Sequence, residues 1–205
     1  MYAQLLIGVS LAVAAYQDIT ERAVNDLVWA PALAGVAFIV YSMVISASPA
    51  PSQELLKLGL VGTIALVFTL LGAVGQADAI ALVFVAADPY PLSPFLPLFA
   101  AAVVALCHIS YAFLTGDARG GKSIAIERFL KEQKWIPKAI VAGGVRTEVN
   151  RDVNVAREEV EANQKQGAMV EVSYGVPTVA YLGVGYLVYL AYLVLFNYAA
   201  FVTLP

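Results

Sequence analysis

Long apolar runs, broken by a single polar block, fill this chain, and that distribution limits its architecture more than any motif does. The runs lie roughly at Tyr2 to Tyr16, Leu27 to Ala47, Leu55 to Ala73, Ala77 to Ala87, Phe95 to Thr115 and Val176 to Val202. A helix that crosses the hydrocarbon of a bilayer needs about 17 to 25 predominantly apolar residues. With 60% hydrophobic and 13% charged residues and a mean hydropathy of +0.77, the composition is that of an integral membrane protein. The expected fold class is therefore an all-α membrane protein of six transmembrane helices, with a small cytoplasmic β-containing insertion before the last helix. The first run is shortish. The fourth is too short for a full crossing unless it starts inside the bilayer or is buried against its neighbours.

Charge sets the expected orientation. Of 12 Lys and Arg, ten lie between Arg119 and Lys165, leaving only Arg22 and Lys57 elsewhere. The positive-inside rule then makes the polar segment 116–171 cytoplasmic. Counting back through six spans puts the Asp18–Asn25 loop and the Ala73–Gln76 turn on the cytoplasmic side, and the Ser48–Gln53 and Asp88–Pro94 loops outside. Both termini would be external. The expected division is 1–115 for the first five helices, 116–171 for the insertion and 172–205 for the last helix. The opening stretch lacks a basic region ahead of its apolar run and leads into a second span, so it reads as a retained helix and not as a cleaved signal.

Within the polar block, Ser123–Lys134 reads as a helix with Ile124, Ile126, Phe129, Leu130 and Trp135 on an apolar face or along the membrane surface. Pro137 interrupts it. The Val- and Ile-rich run Lys138–Val155 follows, with Gly143-Gly144 as a turn and the alternation of Val149–Val155 suited to short strands. Ten basic and nine acidic residues between Gly116 and Glu171 make the block nearly neutral, against a nucleic-acid partner. Gly116–Ser123 matches G-x-x-x-x-G-K-S literally. A phosphate loop, however, requires a strand that delivers it into a helix N-terminus, and here a membrane span precedes it. Cys107 and His108 stand alone in a span, so neither a disulfide nor a thiolate metal site is available, and both read as packing or hydrogen-bonding residues. No metal or cofactor is expected.

Asp18 and Asp78 carry the chemistry. Each stands at the end of an apolar run, where a carboxylate is costly unless it faces protein or water. Paired carboxylates can hydrolyse an amide if one is ionised, to take a proton from water, and the other protonated, to hydrogen-bond the scissile carbonyl. Repulsion at about 3 Å spreads their apparent pKa values and sustains that mixed state. The titration belongs to the pair, so neither role is assigned to one residue. Gly75 would let the backbone turn and a substrate strand approach closely, and would place Asp78 in the first turn of the next helix, where the dipole favours an anion. Each aspartate alone could be a simple helix-end residue. Asp26 competes as a carboxylate at the start of the second helix, and Asp88 reads as a loop residue before Pro89. Composition and topology leave catalysis and an ion or proton pathway equally open.

The stretch D-I-T-E-R-A-V-N-D-L-V-W from Asp18 resembles the first catalytic region of archaeal type IV prepilin peptidases, including the preflagellin (prearchaellin) peptidases. Gly75-Gln76-Ala77-Asp78 resembles their second region within the GxGD class of aspartic membrane proteases. The spacing of about sixty residues agrees, and Val172–Pro177 is similar to the entry into the family's last helix. The resemblance implies an aspartic endopeptidase with catalytic Asp18 and Asp78 and motif glycine Gly75. It would remove short basic leader peptides from archaellin or type IV pilin precursors at the cytoplasmic face of the cell membrane. Arg22, Asp26 and Trp29 match the surrounding pattern with no role attached. The implied partners are those precursors and the lipid bilayer.

Bacterial relatives often add a methyltransferase activity and a cytoplasmic cysteine cluster, which a chain whose one cysteine is Cys107 does not carry. Ala77 stands where the third position of G-x-G-D would be glycine, as in the archaeal form. Pro31-Ala32-Leu33 spells the PAL motif of presenilin-like proteases but precedes the second aspartate, and reads as chance. A proton-coupled or ion transporter is the alternative, though internal repeats expected of one are not evident.

Overall fold

The computed structural model describes residues 2–45, 51–71, 74–88, 93–118, 121–150, 153–163 and 168–202. It is mostly helical, with one small antiparallel sheet. The helices are α1 (Tyr2–Thr20), α2 (Ala30–Ile45), α3 (Pro51–Leu70), α4 (Gln76–Ala86), α5 (Phe95–Leu114), α6 (Ile126–Lys131), α7 (Val153–Ala162) and α8 (Thr178–Val202). A 3-10 turn, Asp26–Trp29, leads into α2. Five helical segments are long and apolar enough to cross a membrane: α1, α2 with its leading turn, α3, α5 and α8. The sixth apolar run forms α4, of 11 residues. At 1.5 Å per residue it covers about half of a hydrocarbon layer of roughly 30 Å. Parts of the expected loops, at 46–50, 72–73 and 89–92, lie outside the described residues, as do 119–120 of the phosphate-loop match and 151–152. The Ser48–Gln53 loop ends earlier than expected, because α3 already begins at Pro51, and proline is at home in a helix's first turn.

The chain forms two compact units, residues 1–16, 24–105 and 178–205 in one and 17–23 and 106–177 in the other. In the helical unit α4 packs against α3 and α8 and buries Ala81, Phe84, Val85 and Ala86. Small residues set the helix spacing. A β-carbon on Gly183 of α8 would stand 2.9 Å from the Leu11 carbonyl oxygen of α1, and one on Gly35 of α2 only 2.7 Å from that of Ala3. Small residues that let helix backbones approach this closely are a feature of helix packing in membranes. The Ala32 amide donates to Ser10 Oγ at 2.9 Å and ties α2 to α1. Ala32 is fully buried, so the PAL triplet does packing work here.

The second unit carries the sheet, in the order β1 (Lys122–Ala125), β4 (Met169–Tyr174), β2 (Trp135–Ala142) and β3 (Val145–Glu148). Pairing of β1 with β4 sets Lys122 opposite Val172, which brings the entry and exit of the insertion side by side. Gly143 and Gly144, at φ +58° and +82°, make the tight turn between β2 and β3, as their sequence predicts. Phe129, Trp135, Val160, Val170 and Val172 form the core.

Three expectations for this unit are corrected. Ser123–Lys134 is not one helix: Lys122–Ala125 is strand and only Ile126–Lys131 is helical. Burial of Ile124 and Ile126 two residues apart, then of Phe129 three further on, records the change of period. These side chains enter the insertion's own core and do not form a membrane-surface face. Strand character also stops at Glu148, because Val153–Ala162 is helix and buries Ala156 and Val160 at four-residue spacing. Pro137 does not end an element. It lies within β2, where pairing with β4 shifts between Pro137 and Ala139 to accommodate its missing N–H.

Candidate active site

Asp78 is held by the start of α4. Gly75 caps that helix, and its amide donates to Asp78 Oδ2 at 3.2 Å. The backbone of Gly75, at φ −68° and ψ 155°, is one that any residue adopts, so the expected need for a sharp glycine turn is not met. What the glycine supplies is room. A β-carbon there would stand 3.1 Å from Asp78 Oδ2 and crowd the carboxylate folding back over the helix end. The Ala79 amide reaches the Gly75 carbonyl at 3.1 Å, so the helix starts cleanly beneath the carboxylate.

Asp18 lies in the last turn of α1, which contains no basic residue. Both aspartates are half-buried. They occupy helix ends of opposite sign, since the N-terminus of α4 carries partial positive charge and the C-terminus of α1 partial negative charge. Asp78 and Gly75 belong to the helical unit and Asp18 to the other.

Along α4, from Gln76 to Ala87, the helical unit has a cleft of about 650 Å³ lined also by Asp26, Trp29, Val36 and Gly62; neither Asp18 nor Asp78 is among its lining residues. Asp26 is exposed at the opening of the 3-10 turn, where the Asn25 side chain accepts the Leu27 amide at 2.9 Å. Trp29 is buried and stacks on Phe84 at 5.6 Å. The cleft is therefore apolar along its walls with polar groups at Asp26 and Gln76, a shape suited to a hydrophobic segment that ends in a polar one. Sequence reasoning attached no role to Trp29 or Asp26; both line this cleft.

Asp88 is the residue that the sequence undervalued. It follows α4 in irregular chain, as expected, yet is fully buried. Tyr186 of α8 donates to its Oδ2 at 3.3 Å, and Lys57 of α3 donates to its carbonyl oxygen at 2.6 Å while pairing with Glu54 at 2.6 Å. Lys57, one of two cations outside the polar block, was the available signal.

The described end of the Gly116–Ser123 segment does not open a helix. Lys122 and Ser123 lie in a strand, not at a helix N-terminus, and Lys122 faces Asp117 at 3.8 Å and the Trp135 ring at 5.4 Å. Lys134 donates to the same Asp117 carboxylate at 2.9 Å, a hydrogen bond that pushes its pKa above the ordinary lysine value. His108 hydrogen-bonds Tyr174 at 2.9 Å, and Cys107 is exposed and free. Among the described residues no three His, Cys, Asp or Glu are grouped to hold a metal ion. Comparison with family models, with curated proteins and with solved structures gives no match.

Proposed function

We propose that this chain is an aspartic membrane endopeptidase that removes basic leader peptides from archaellin or type IV pilin precursors at the cytoplasmic face of the cell membrane. The observation that carries the reading is Asp78, half-buried in the first turn of an apolar helix and held there by the Gly75 amide, in a motif that resembles the second catalytic region of those peptidases. Asp18, at the end of another apolar helix, supplies the second carboxylate. In this reading α4 joins the five long helices as a sixth segment, residues 116–171 are cytoplasmic and both termini are external.

Catalysis asks both carboxylates to reach one water molecule. The ionised member takes a proton from that water as its oxygen bonds to the scissile carbonyl carbon. The protonated member hydrogen-bonds the carbonyl oxygen as it gains negative charge. Collapse of the tetrahedral intermediate breaks the C–N bond, and the departing amine leaves with a proton returned by the pair. No metal, cofactor or methyl donor takes part. The cleft beside α4 suits the hydrophobic helix of a precursor, with the exposed Asp26 carboxylate toward its basic leader.

Purified protein incubated with a precursor pilin tests this. Asp18→Asn and Asp78→Asn should each reduce leader removal by about 10³-fold or more, with an unchanged circular dichroism spectrum. Processing at the wild-type rate by either variant refutes the assignment. Carboxylate-dependent ion flux without a cleaved product would make the chain a transporter.

A further inference from the structure

The sheet ends in two edge strands of different character, β1 and β3. β1 carries Lys122 and no acid. β3 reads Val145-Arg146-Thr147-Glu148, is exposed at all four residues and is followed by Val149. The two-residue turn at Gly143-Gly144 makes Ala142 and Val145 a hydrogen-bonded pair, and further along the Val149 amide donates to the Lys138 carbonyl at 3.3 Å. The odd-numbered residues therefore direct their backbone groups to β2. Because these directions alternate along an antiparallel strand, the N–H and C=O of Arg146 and Glu148 point away from the sheet.

Such a row is a template for another strand, and proteins usually blunt it with charge. On β3 the order of charges matches the strand to itself. Read antiparallel, V-R-T-E-V is its own complement: with Thr147 opposite the Thr147 of a second copy, each Arg146 faces a Glu148 and each Val145 a Val149. The backbone agrees with this register. Arg146 and Glu148, whose groups point outward, become the hydrogen-bonded pairs, and the two chains exchange four backbone hydrogen bonds. Within one chain Arg146 already pairs with Glu148 at 3.1 Å and with Glu171 at 2.9 Å. Arg146 and Glu148 share a face of the strand, so two copies would close a ring of four charges of alternating sign. On the opposite face a hollow of about 310 Å³, lined by Ile140, Ala142, Val145, Thr147 and Asn163, lies along the same hairpin, and a partner strand would extend its wall.

We propose that β3 is a docking edge for a second copy of this chain, which adds its own β3 antiparallel and joins two four-stranded sheets into one of eight strands. The occupant is a second copy because the sequence that β3 complements is its own. The contact is short and therefore weak, and it is favoured between chains held in one membrane, where effective concentration is high. It rests on neither carboxylate of the proposed active site.

The test gives each chain one cysteine. The full chain carrying Cys107→Ala and Thr147→Cys is reconstituted in phosphatidylcholine vesicles and oxidised with copper phenanthroline. Opposed residues of a non-hydrogen-bonded pair have Cα atoms about 4.5 Å apart, within the roughly 4.4–6.8 Å that a disulfide spans. Covalent dimer should form at least about tenfold faster than with Glu127→Cys, exposed on α6, in place of Thr147→Cys. Added to the Thr147→Cys chain, Arg146→Glu or Glu148→Arg sets like charges opposite each other and should slow the reaction about tenfold. Vesicles containing both variants should regain the parent rate as mixed dimer, since every Glu then faces an Arg. That recovery also shows that both variants fold. Equal rates at positions 147 and 127 overturn the docking edge. Charge variants that cross-link alone as fast as the parent overturn it too, as does a slowing that mixing fails to reverse.

Discussion

Apolar side chains face opposite ways in the two compact units. In the helical unit Leu56, Leu60 and Phe99 are 74%, 60% and 70% exposed, and small residues such as Gly35, Gly183 and Gly185 let helices approach closely. In the other unit Phe129, Trp135 and Val170 fill a core, while Arg128 pairs with Glu132 and Arg146 with Glu171 on the surface. The two units dispose of their apolar area differently. The insertion is organised by withdrawing apolar area from water. The helical unit leaves much of its apolar area uncovered and is joined by close packing and buried polar bonds, as at Ala32 and Ser10.

The contrast can be broken at several points. The largest effect is expected in the insertion, where Trp135→Ala should cost about 3–5 kcal/mol, read as a lower urea midpoint for the sheet by hydrogen exchange. Next comes a matched pair of surface changes. Leu60→Lys, near the middle of α3, should cost about 2.5–3.5 kcal/mol of membrane insertion, whereas Val145→Lys, 67% exposed on β3, should stay within about 0.5 kcal/mol. A glycosylation-mapping assay reads the first and thermal unfolding the second. Equal tolerance of both lysines would remove the lipid-facing interpretation of α3.

Smaller again is the difference between the two aspartates that flank α4. Asp88→Ala leaves the Tyr186 hydroxyl without its acceptor and should lower stability by about 1–3 kcal/mol, with turnover of the folded fraction retained. Asp78→Asn should do the reverse. The smallest effect is on pH dependence. Hydrogen bonds from Arg128, then Trp135, hold Glu132 below the ordinary glutamate value. A depressed folded-state pKa stabilises above the unfolded value and is lost as pH falls through the folded one. Trp135 fluorescence should therefore respond below about pH 4.3, and Glu132→Gln should flatten that response.

Much of the fold is legible in the residues. Every apolar run became a helix within a few residues of its ends, and Gly143-Gly144 marks its turn because only glycine accepts those angles cheaply. Legibility fails inside the polar block, where six-residue elements are too short for period alone to separate Ser123–Ala125 from the helix after it. It fails again at Asp88, whose burial depends on Lys57 and Tyr186, 31 residues before and 98 after it in the chain.

The order of residues alone determined the number and bounds of the apolar helices, the confinement of basic charge to one block, and the candidacy of Asp18 and Asp78, because each follows from composition within a single segment. Tertiary structure alone decided that a cleft opens beside Trp29 and that Asp88 is buried. Those outcomes depend on which segments pack against one another, and packing between distant segments leaves no period in the sequence.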